Sequence, residues 1–141
     1  MTQPSAAAAA TGAALTDEIR GFLAAPRFAT IATLDPDGSP HQAVVWYALD
    51  GDALLVNSRV ERHWPRNLDR DGRVAVAVYD SAEPYHFVGL KGRAERLHEG
   101  PAATSDIQAL ARRYGRDPER YGGQARVTYR IAVEAVFDYR S

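Results

Sequence analysis

The amino-acid sequence predicts one mainly β (α+β) domain, a six-stranded antiparallel barrel with peripheral helices. Six segments have the apolar or alternating pattern of strands, and most are separated by short turns rich in Asp, Pro and Gly. Further segments with helical spacing lie before and between the strands. A chain of 141 residues is long enough for one such domain, and it contains no internal repeat. Short turns join antiparallel neighbours, so the pattern favours a barrel.

The N-terminal segment differs in composition from the rest of the chain. Five consecutive alanines, residues 6–10, follow Pro4 and Ser5, and the segment lacks the side chains to build a core. We expect residues 1–14 to form a disordered tail and residues 15–141 to form the folded domain. The domain begins with a short amphipathic helix, for which Thr16 is the predicted N-cap, and Pro26 marks its end.

The remaining elements follow in chain order. A turn with the sequence Asp-Pro-Asp-Gly joins the first two strands, and Gly89 and Gly92 predict a bulge or strong curvature in the fifth. Helices are expected over residues 65–71 and 101–114. The last strand alternates clearly and is long enough to bend round a barrel or to reach a second subunit. The six predicted strands are residues 28–34, 41–49, 53–58, 73–79, 85–97 and 126–139.

The composition argues against several classes of function. With a net charge of −1 and Lys91 as its only lysine, the chain has no overall field that favours nucleic acid. It has no cysteine, which excludes disulfides, thiolate metal sites and a cysteine nucleophile. No apolar run has the length of a membrane span and no signal peptide is recognised, so we expect a cytoplasmic protein. The four histidines lack the spacing of metal ligands, and we expect no metal site.

The segment between the third and fourth strands is the candidate site. One strand ends in the polar residues Asn57 and Ser58, and Arg59, Arg62 and His63 follow before the next strand. Guanidinium groups bind phosphate and carboxylate oxygens bidentately, so this turn suits an anionic ligand, although a solvated loop has the same composition. Further along the chain, arginines 73, 126 and 130 are expected to make structural ion pairs. No motif of an enzyme that works with its own side chains alone is present. The sequence therefore favours either a protein whose bound cofactor supplies the chemistry or a pure binding module.

Three stretches occur in an order and spacing that characterise a known family. They are residues 29–47, with Asp37-Gly38-Ser39-Pro40-His41 at their centre; Asn57-Ser58, followed nine residues later by Asn67-Leu68-Asp69-Arg70-Asp71-Gly72; and residues 80–94. Over residues 15–139 the chain resembles the split β-barrel family of flavin and deazaflavin proteins related to pyridoxamine 5′-phosphate oxidase. It is most similar to the subgroup that depends on the deazaflavin F420. The resemblance implies a six-stranded antiparallel split β-barrel.

The resemblance also implies a homodimer with a cofactor in each of two grooves at the subunit interface. The residues that would line the flavin-type ring are Gln42, Val44, Val45 and Trp46. The residues that would hold the ribityl chain and the phosphate are Asn57, Ser58, Arg62 and Asn67. Tyr85 and His86 would approach from the other subunit. The family often has Lys where this chain has Trp64, so the resemblance implies that Arg62 or His63 compensates, that Trp64 stacks on the ring, or that the site has shifted.

The resemblance predicts an F420-dependent oxidoreductase that transfers hydride between the cofactor and a small conjugated organic substrate. No catalytic residue is assigned; proton delivery is expected from water or from His41, Tyr85 or His86. One alternative is an FMN-binding oxidase or reductase that uses the same groove. A second alternative is a carrier that binds a flavin-type ligand without turnover.

Overall fold

The computed structural model describes residues 15–140, so the predicted tail of residues 1–14 lies outside the described residues. The described chain forms one antiparallel sheet with three α-helices and a short 3-10 helix at Pro118–Tyr121. The strands are β1 (Phe28–Leu34), β2 (Pro40–Val45), β3 (Ala48–Asp50), β4 (Ala53–Arg59), β5 (Arg73–Tyr79), β6 (Phe87–Glu99) and β7 (Arg126–Asp138). The helices are α1 (Asp17–Ala24), α2 (His63–Arg70) and α3 (Gly100–Arg113). The predicted α+β class is confirmed.

The sheet has seven strands rather than the predicted six, and it does not close. Its order is β2-β1-β5-β6-β7-β4-β3, so β2 and β3 are its two free edges although they are consecutive in the chain. The single strand predicted over residues 41–49 breaks at Trp46 and Tyr47. There the Tyr47 amide donates to the Tyr114 hydroxyl (3.3 Å), and Arg113 Nε donates to the Tyr47 carbonyl (3.0 Å). Side chains thus replace the strand partners that residue 47 would otherwise need.

The core lies on one face of the sheet. In β5 the alternating residues Val74, Val76 and Val78 are buried, whereas the alanines between them are partly exposed. Helix α1 covers this core with one apolar face, and Thr16 Oγ1 accepts from the Ile19 amide as the predicted N-cap. The apolar residues that recur every second position in the strands therefore pack against those that recur every 3.6 positions in the helix, and together they form one cluster.

Two local features refine the predicted elements. Helix α2 begins at His63, two residues earlier than expected, because Pro65 falls in the first turn, where its missing N–H costs no hydrogen bond. The predicted irregularity in the long β6 strand is confirmed as a register shift between Lys91 and Gly92. A Cβ atom at Gly92 would lie 2.0 Å from the Ala132 carbonyl oxygen of β7, so only glycine fits this close approach.

No helix within residues 15–140 is both long and apolar enough to cross a membrane. The cytoplasmic location expected from the sequence stays a prediction.

Candidate functional site

A cavity of about 270 Å³ opens where the end of β2 meets β4 and β7. Six of the residues predicted to contact a cofactor line it: Val44, Val45, Trp46, Asn57, Ser58 and Arg62. Four further lining residues were not predicted: Phe28, Ile107, Tyr121 and Arg126. The break in the strand between β2 and β3 turns Trp46 towards this cavity rather than along the sheet edge. We call this space the arginine cavity.

One wall of the arginine cavity is apolar and aromatic. Val44 is 70% exposed and Phe28 is also exposed, and both line this cavity; contiguous exposed apolar surface of this kind is typical of ligand-binding sites. Trp46 stacks on Tyr114 with ring centroids 5.1 Å apart and planes 10° apart, and the edge of Tyr121 packs against it. These contacts hold the indole in one orientation and leave a flat surface for a planar ligand.

The opposite wall is polar, and a chain of hydrogen bonds fixes its geometry. Asn57 Nδ2 donates to the Ala103 carbonyl and to Thr128 Oγ1, both at 2.9 Å. Thr128 in turn donates to Asp106 Oδ2 at 2.6 Å. Because both amide hydrogens of Asn57 are engaged, its oxygen faces Arg126 and accepts from Nη1 at 3.3 Å. The Ala103 carbonyl and Thr128 therefore fix the Asn57 side chain, with its acceptor oxygen pointing to the Arg126 guanidinium group.

Arg62 and Arg126 line the polar wall and make it cationic, and Arg59 lies opposite Arg126 on the neighbouring strand. Arg126 is only 9% exposed, and its guanidinium donates to Gln124 and Asn57 rather than to a carboxylate. Burial lowers the pKa of Arg126, and the positive charges of Arg59 and Arg62 lower that pKa further. We call these three residues the arginine cluster. A buried cation crowded by like charges is unfavourable on its own, so the cluster is complementary to an anion.

The other two members of the arginine cluster also have unused donors. Within residues 15–140, the Arg62 guanidinium makes no hydrogen bond or ion pair. Arg59 Nε is buried and unsatisfied: Glu61 Oε1 lies 3.3 Å away, but the direction does not allow a hydrogen bond. A buried donor without a partner, such as Arg59 Nε, is rare in native proteins, and the exposed Arg62 lines the cavity itself.

The structural ion pair predicted for Arg126 is wrong, whereas those predicted for the other two arginines are confirmed. Arg130 pairs with Asp50 at 3.3 Å and Arg73 with Asp71 at 2.7 Å, but no carboxylate among the described residues lies within 4.0 Å of Arg126. The β4–β7 register places Arg126 directly opposite Arg59. Like charges facing each other across strands are destabilising, and that pairing is the signal of an anion site. This pairing can be recognised only when the register of the two strands is known, and the sequence alone does not give that register.

Gln42 and Tyr85 lie away from the arginine cavity. Gln42 borders a wider depression of about 410 Å³ on the outward face of β1, β5 and β6, which we call the sheet depression. Its floor carries small side chains such as Ala32, Ala75 and Ala77, with Lys91 as its only charged lining residue among those described. Although this depression is the larger one, it offers few donors for an anion. Tyr85 is 88% exposed on the loop after β5, and its contact with a cofactor stays a prediction.

Trp64 and Asn67 lie in the interior rather than on the cavity. Trp64 is 5% exposed, and its ring lies 6.0 Å from that of Tyr129. Asn67 is 2% exposed and donates to Thr33 Oγ1 (3.0 Å) and to Asp35 Oδ1 (2.9 Å). Both side chains thus have structural partners, and neither lines the arginine cavity. Their roles as cofactor contacts stay predictions.

His63 belongs to a different cluster. Its Nε2 lies 2.7 Å from Asp35 Oδ1, and its ring stacks on that of His41 with centroids 4.0 Å apart. Hydrogen bonds from Asn67 and then His63 lower the pKa of Asp35. Sequence spacing does not reveal this pair, which the β1–β2 hairpin and the start of α2 bring together.

An open antiparallel barrel with an aromatic and cationic cavity beside its free edge defines a class of split-barrel proteins. The chain belongs to the pyridoxamine 5′-phosphate oxidase family, whose model matches residues 15–140. This confirms the resemblance read from the sequence. Among curated proteins no sequence matches.

Solved structures share this fold. An F420 reductase is 26% identical, with a TM-score of 0.74, over 86% of this chain and 98% of its own. A conserved hypothetical protein from Mycobacterium tuberculosis is 24% identical, also with a TM-score of 0.74, over 99% of this chain and 91% of its own. HutZ, a heme storage protein from Vibrio cholerae, is 17% identical, with a TM-score of 0.69, over 89% and 95%. The fold therefore occurs in proteins of different function.

Proposed function

We propose that the protein is an F420-dependent oxidoreductase that uses the arginine cavity as its cofactor site. The observation that carries this proposal is the arginine cluster, in which the buried Arg126 has no carboxylate partner among residues 15–140 and lies beside an exposed apolar wall. A cofactor with a planar ring at one end and an anionic side chain at the other would satisfy both walls. The similarity to an F420 reductase supports the choice of F420.

The residues fit the two ends of such a cofactor. Arg62 and Arg126 have free or partly free donors for a phosphate, and the unsatisfied Nε of Arg59 lies in the same cluster. Val44 and Trp46 offer an apolar surface for the ring. Bound F420 would supply the hydride-transfer chemistry that the side chains themselves lack. FMN carries the same kind of ring and phosphate, and it is the alternative cofactor.

In this proposal the protein binds the cofactor, orients its ring and excludes water from the site. Tyr114 and Tyr121 hold Trp46 in place, and the Asn57 network keeps the acceptor oxygen of that residue facing Arg126. Among the described lining residues there is no imidazole and no carboxylate. We therefore assign proton delivery to water or to a group from a second subunit, and the substrate to the class of small conjugated organic acceptors.

We also propose a homodimer formed through the sheet depression. Small side chains there allow close approach of a second copy, and the exposed Tyr85 of one subunit would reach the cavity of its partner. Ala77→Arg should convert a dimer into a monomer in analytical ultracentrifugation. Ala102→Arg, on the exposed side of α3, is the matched control and should leave the dimer intact. A monomeric wild-type protein, or a dimer that survives Ala77→Arg, would contradict this arrangement.

The function is tested by fluorescence titration of the purified apoprotein with F420 and, separately, with FMN. We expect saturable binding with clearly higher affinity for F420, followed by acceptor-dependent reoxidation of reduced F420 in the presence of enone-like compounds. Higher affinity for FMN would move the protein to the flavin branch of the family. Binding without turnover of any acceptor would favour a carrier, and binding of neither cofactor would refute the proposal.

A further inference from the structure

Three potential metal ligands converge on the surface at the opposite end of β2 from the arginine cavity. Asp35 follows the last residue of β1, His41 is the second residue of β2, and His63 is the first residue of α2. One ligand atom from each of the three lies within 4.8 Å of the others. The turn that closes with the Asp35 amide donating to the Ser39 carbonyl (2.8 Å) brings the first two together.

His63 contacts both of the other side chains. His63 Nε2 and Asp35 Oδ1 are 2.7 Å apart, and the two imidazole rings are stacked with planes 9° apart. Four-coordinate Zn²⁺ needs His nitrogens and a carboxylate oxygen about 2.0–2.2 Å from the ion, which places the ligand atoms about 3.3 Å apart. Because the two rings are nearly parallel, their nitrogens cannot both point at one ion, so His63, whose side chain is 57% exposed, must rotate about its side-chain bonds to complete the site.

A buried group holds the carboxylate in place. Asn67, which is almost fully buried, donates to Asp35 Oδ1 and anchors it from the protein side. Hydrogen bonds of this kind orient metal-binding carboxylates in known sites. Thr33 accepts from the same amide nitrogen and lies opposite His41 in the β1–β2 register, so one local framework supports both ligands.

We propose that Asp35, His41 and His63 form a binding site for a first-row divalent transition metal, of which Zn²⁺ is the representative ion. Two imidazoles and one carboxylate suit such ions, whereas Ca²⁺ and Mg²⁺ prefer oxygen ligands alone. Three protein ligands leave at least one coordination position open to water or to an anion. The site is separate from the arginine cavity, because none of its three ligands lines that cavity.

The test is calorimetric titration of the untagged full chain with Zn²⁺ at pH 7.5 in a buffer that does not chelate metals. We expect one Zn²⁺ per chain, and at least a tenfold loss of affinity in His41→Ala and in His63→Ala. Asp35→Asn should also weaken binding while it keeps the shape of the side chain. Circular dichroism of each variant verifies the fold, and no F420 is present, so the result is independent of the proposed cofactor.

His98→Ala is the matched control. His98 Nδ1 lies 2.7 Å from Asp106 Oδ2, the same distance as in the His63–Asp35 pair, but the structure describes no second histidine beside it. We expect unchanged Zn²⁺ affinity in this variant. Absence of Zn²⁺ binding by the wild-type chain would overturn the proposal. So would affinity that survives both His41→Ala and His63→Ala, or an equal loss in His98→Ala.

Discussion

Replacement of Arg126 by methionine separates the cost of burying a cation from the benefit of binding an anion. In the free protein the change removes charge-assisted hydrogen bonds to Gln124 and Asn57, each worth about 1.5–3 kcal/mol. It also removes a buried charge that Arg59 and Arg62 repel. These effects oppose each other, as they do when buried charged groups are replaced by apolar ones of similar size. We expect the free energy of unfolding to fall by less than the sum of these hydrogen bonds, because removal of the buried charge offsets part of their loss.

The same replacement should also lower the affinity for the cofactor. A hydrogen bond from a charged group to the cofactor phosphate is worth about 1.5–3 kcal/mol, which corresponds to roughly 10- to 150-fold weaker binding. The deazaflavin chromophore without its phosphate side chain lacks that partner, so its affinity should not change. Fluorescence titrations of wild type and Arg126→Met with both ligands complete a double-mutant cycle, in which protein and ligand are each altered once.

The matched control for this cycle is Arg130→Met. Arg130 lies on the same strand, but it is exposed and pairs with Asp50, a contact worth about 0–1 kcal/mol. It should leave the affinity for both ligands unchanged. Equal losses for F420 and for the phosphate-free chromophore in Arg126→Met would show that the residue shapes the cavity without touching phosphate. No loss for either ligand would remove the arginine cluster from the cofactor site.

Three further predictions concern stability and can be measured by urea denaturation. Asp106→Ala should cost about 1–3 kcal/mol, because it removes the carboxylate that accepts the Thr128 hydroxyl at 2.6 Å; an unchanged midpoint would show that this bond adds nothing. Burial raises the pKa of Tyr47 to about 12, so the folded state favours the neutral phenol. That contribution is complete below pH 10 and is lost as the pH rises towards 12, and Tyr47→Phe should therefore flatten the alkaline fall in stability; an identical fall in the variant would contradict it. Gly92→Ala should cost about 3 kcal/mol, because its Cβ would meet the β7 backbone, whereas Gly89→Ala, with its nearest neighbour at 3.6 Å, should cost much less, and equal costs would refute the close approach.

Local patterns in the sequence predict most of the secondary structure. The alternating valines of β5, the N-cap Thr16 and the glycine-dependent bulge at Gly92 each depend on neighbouring residues, so their signals are visible in the chain. The break between β2 and β3 is different. It depends on Arg113 and Tyr114, which are more than 60 residues away from Tyr47 in the chain, so no local sequence pattern predicts it.

The candidate site was only partly predictable for the same reason. Trp46 and Asn57 could be carried over from the family resemblance because Asn57 lies in a recognisable strand and Trp46 directly follows one. The position of Arg126 opposite Arg59 depends on the register of two strands that are distant in sequence. The stacking of His41 on His63 likewise depends on how α2 packs against the first hairpin. Such tertiary contacts cannot be predicted from single segments of the sequence.

A crystal structure of the protein with bound F420 tests the central claim most directly. We predict that the cofactor phosphate lies within hydrogen-bond distance of Arg126 and Arg62, with the ring against Val44 and Trp46. A cofactor bound in the sheet depression, or a phosphate held by other residues, would contradict the assignment of the arginine cavity as the cofactor site.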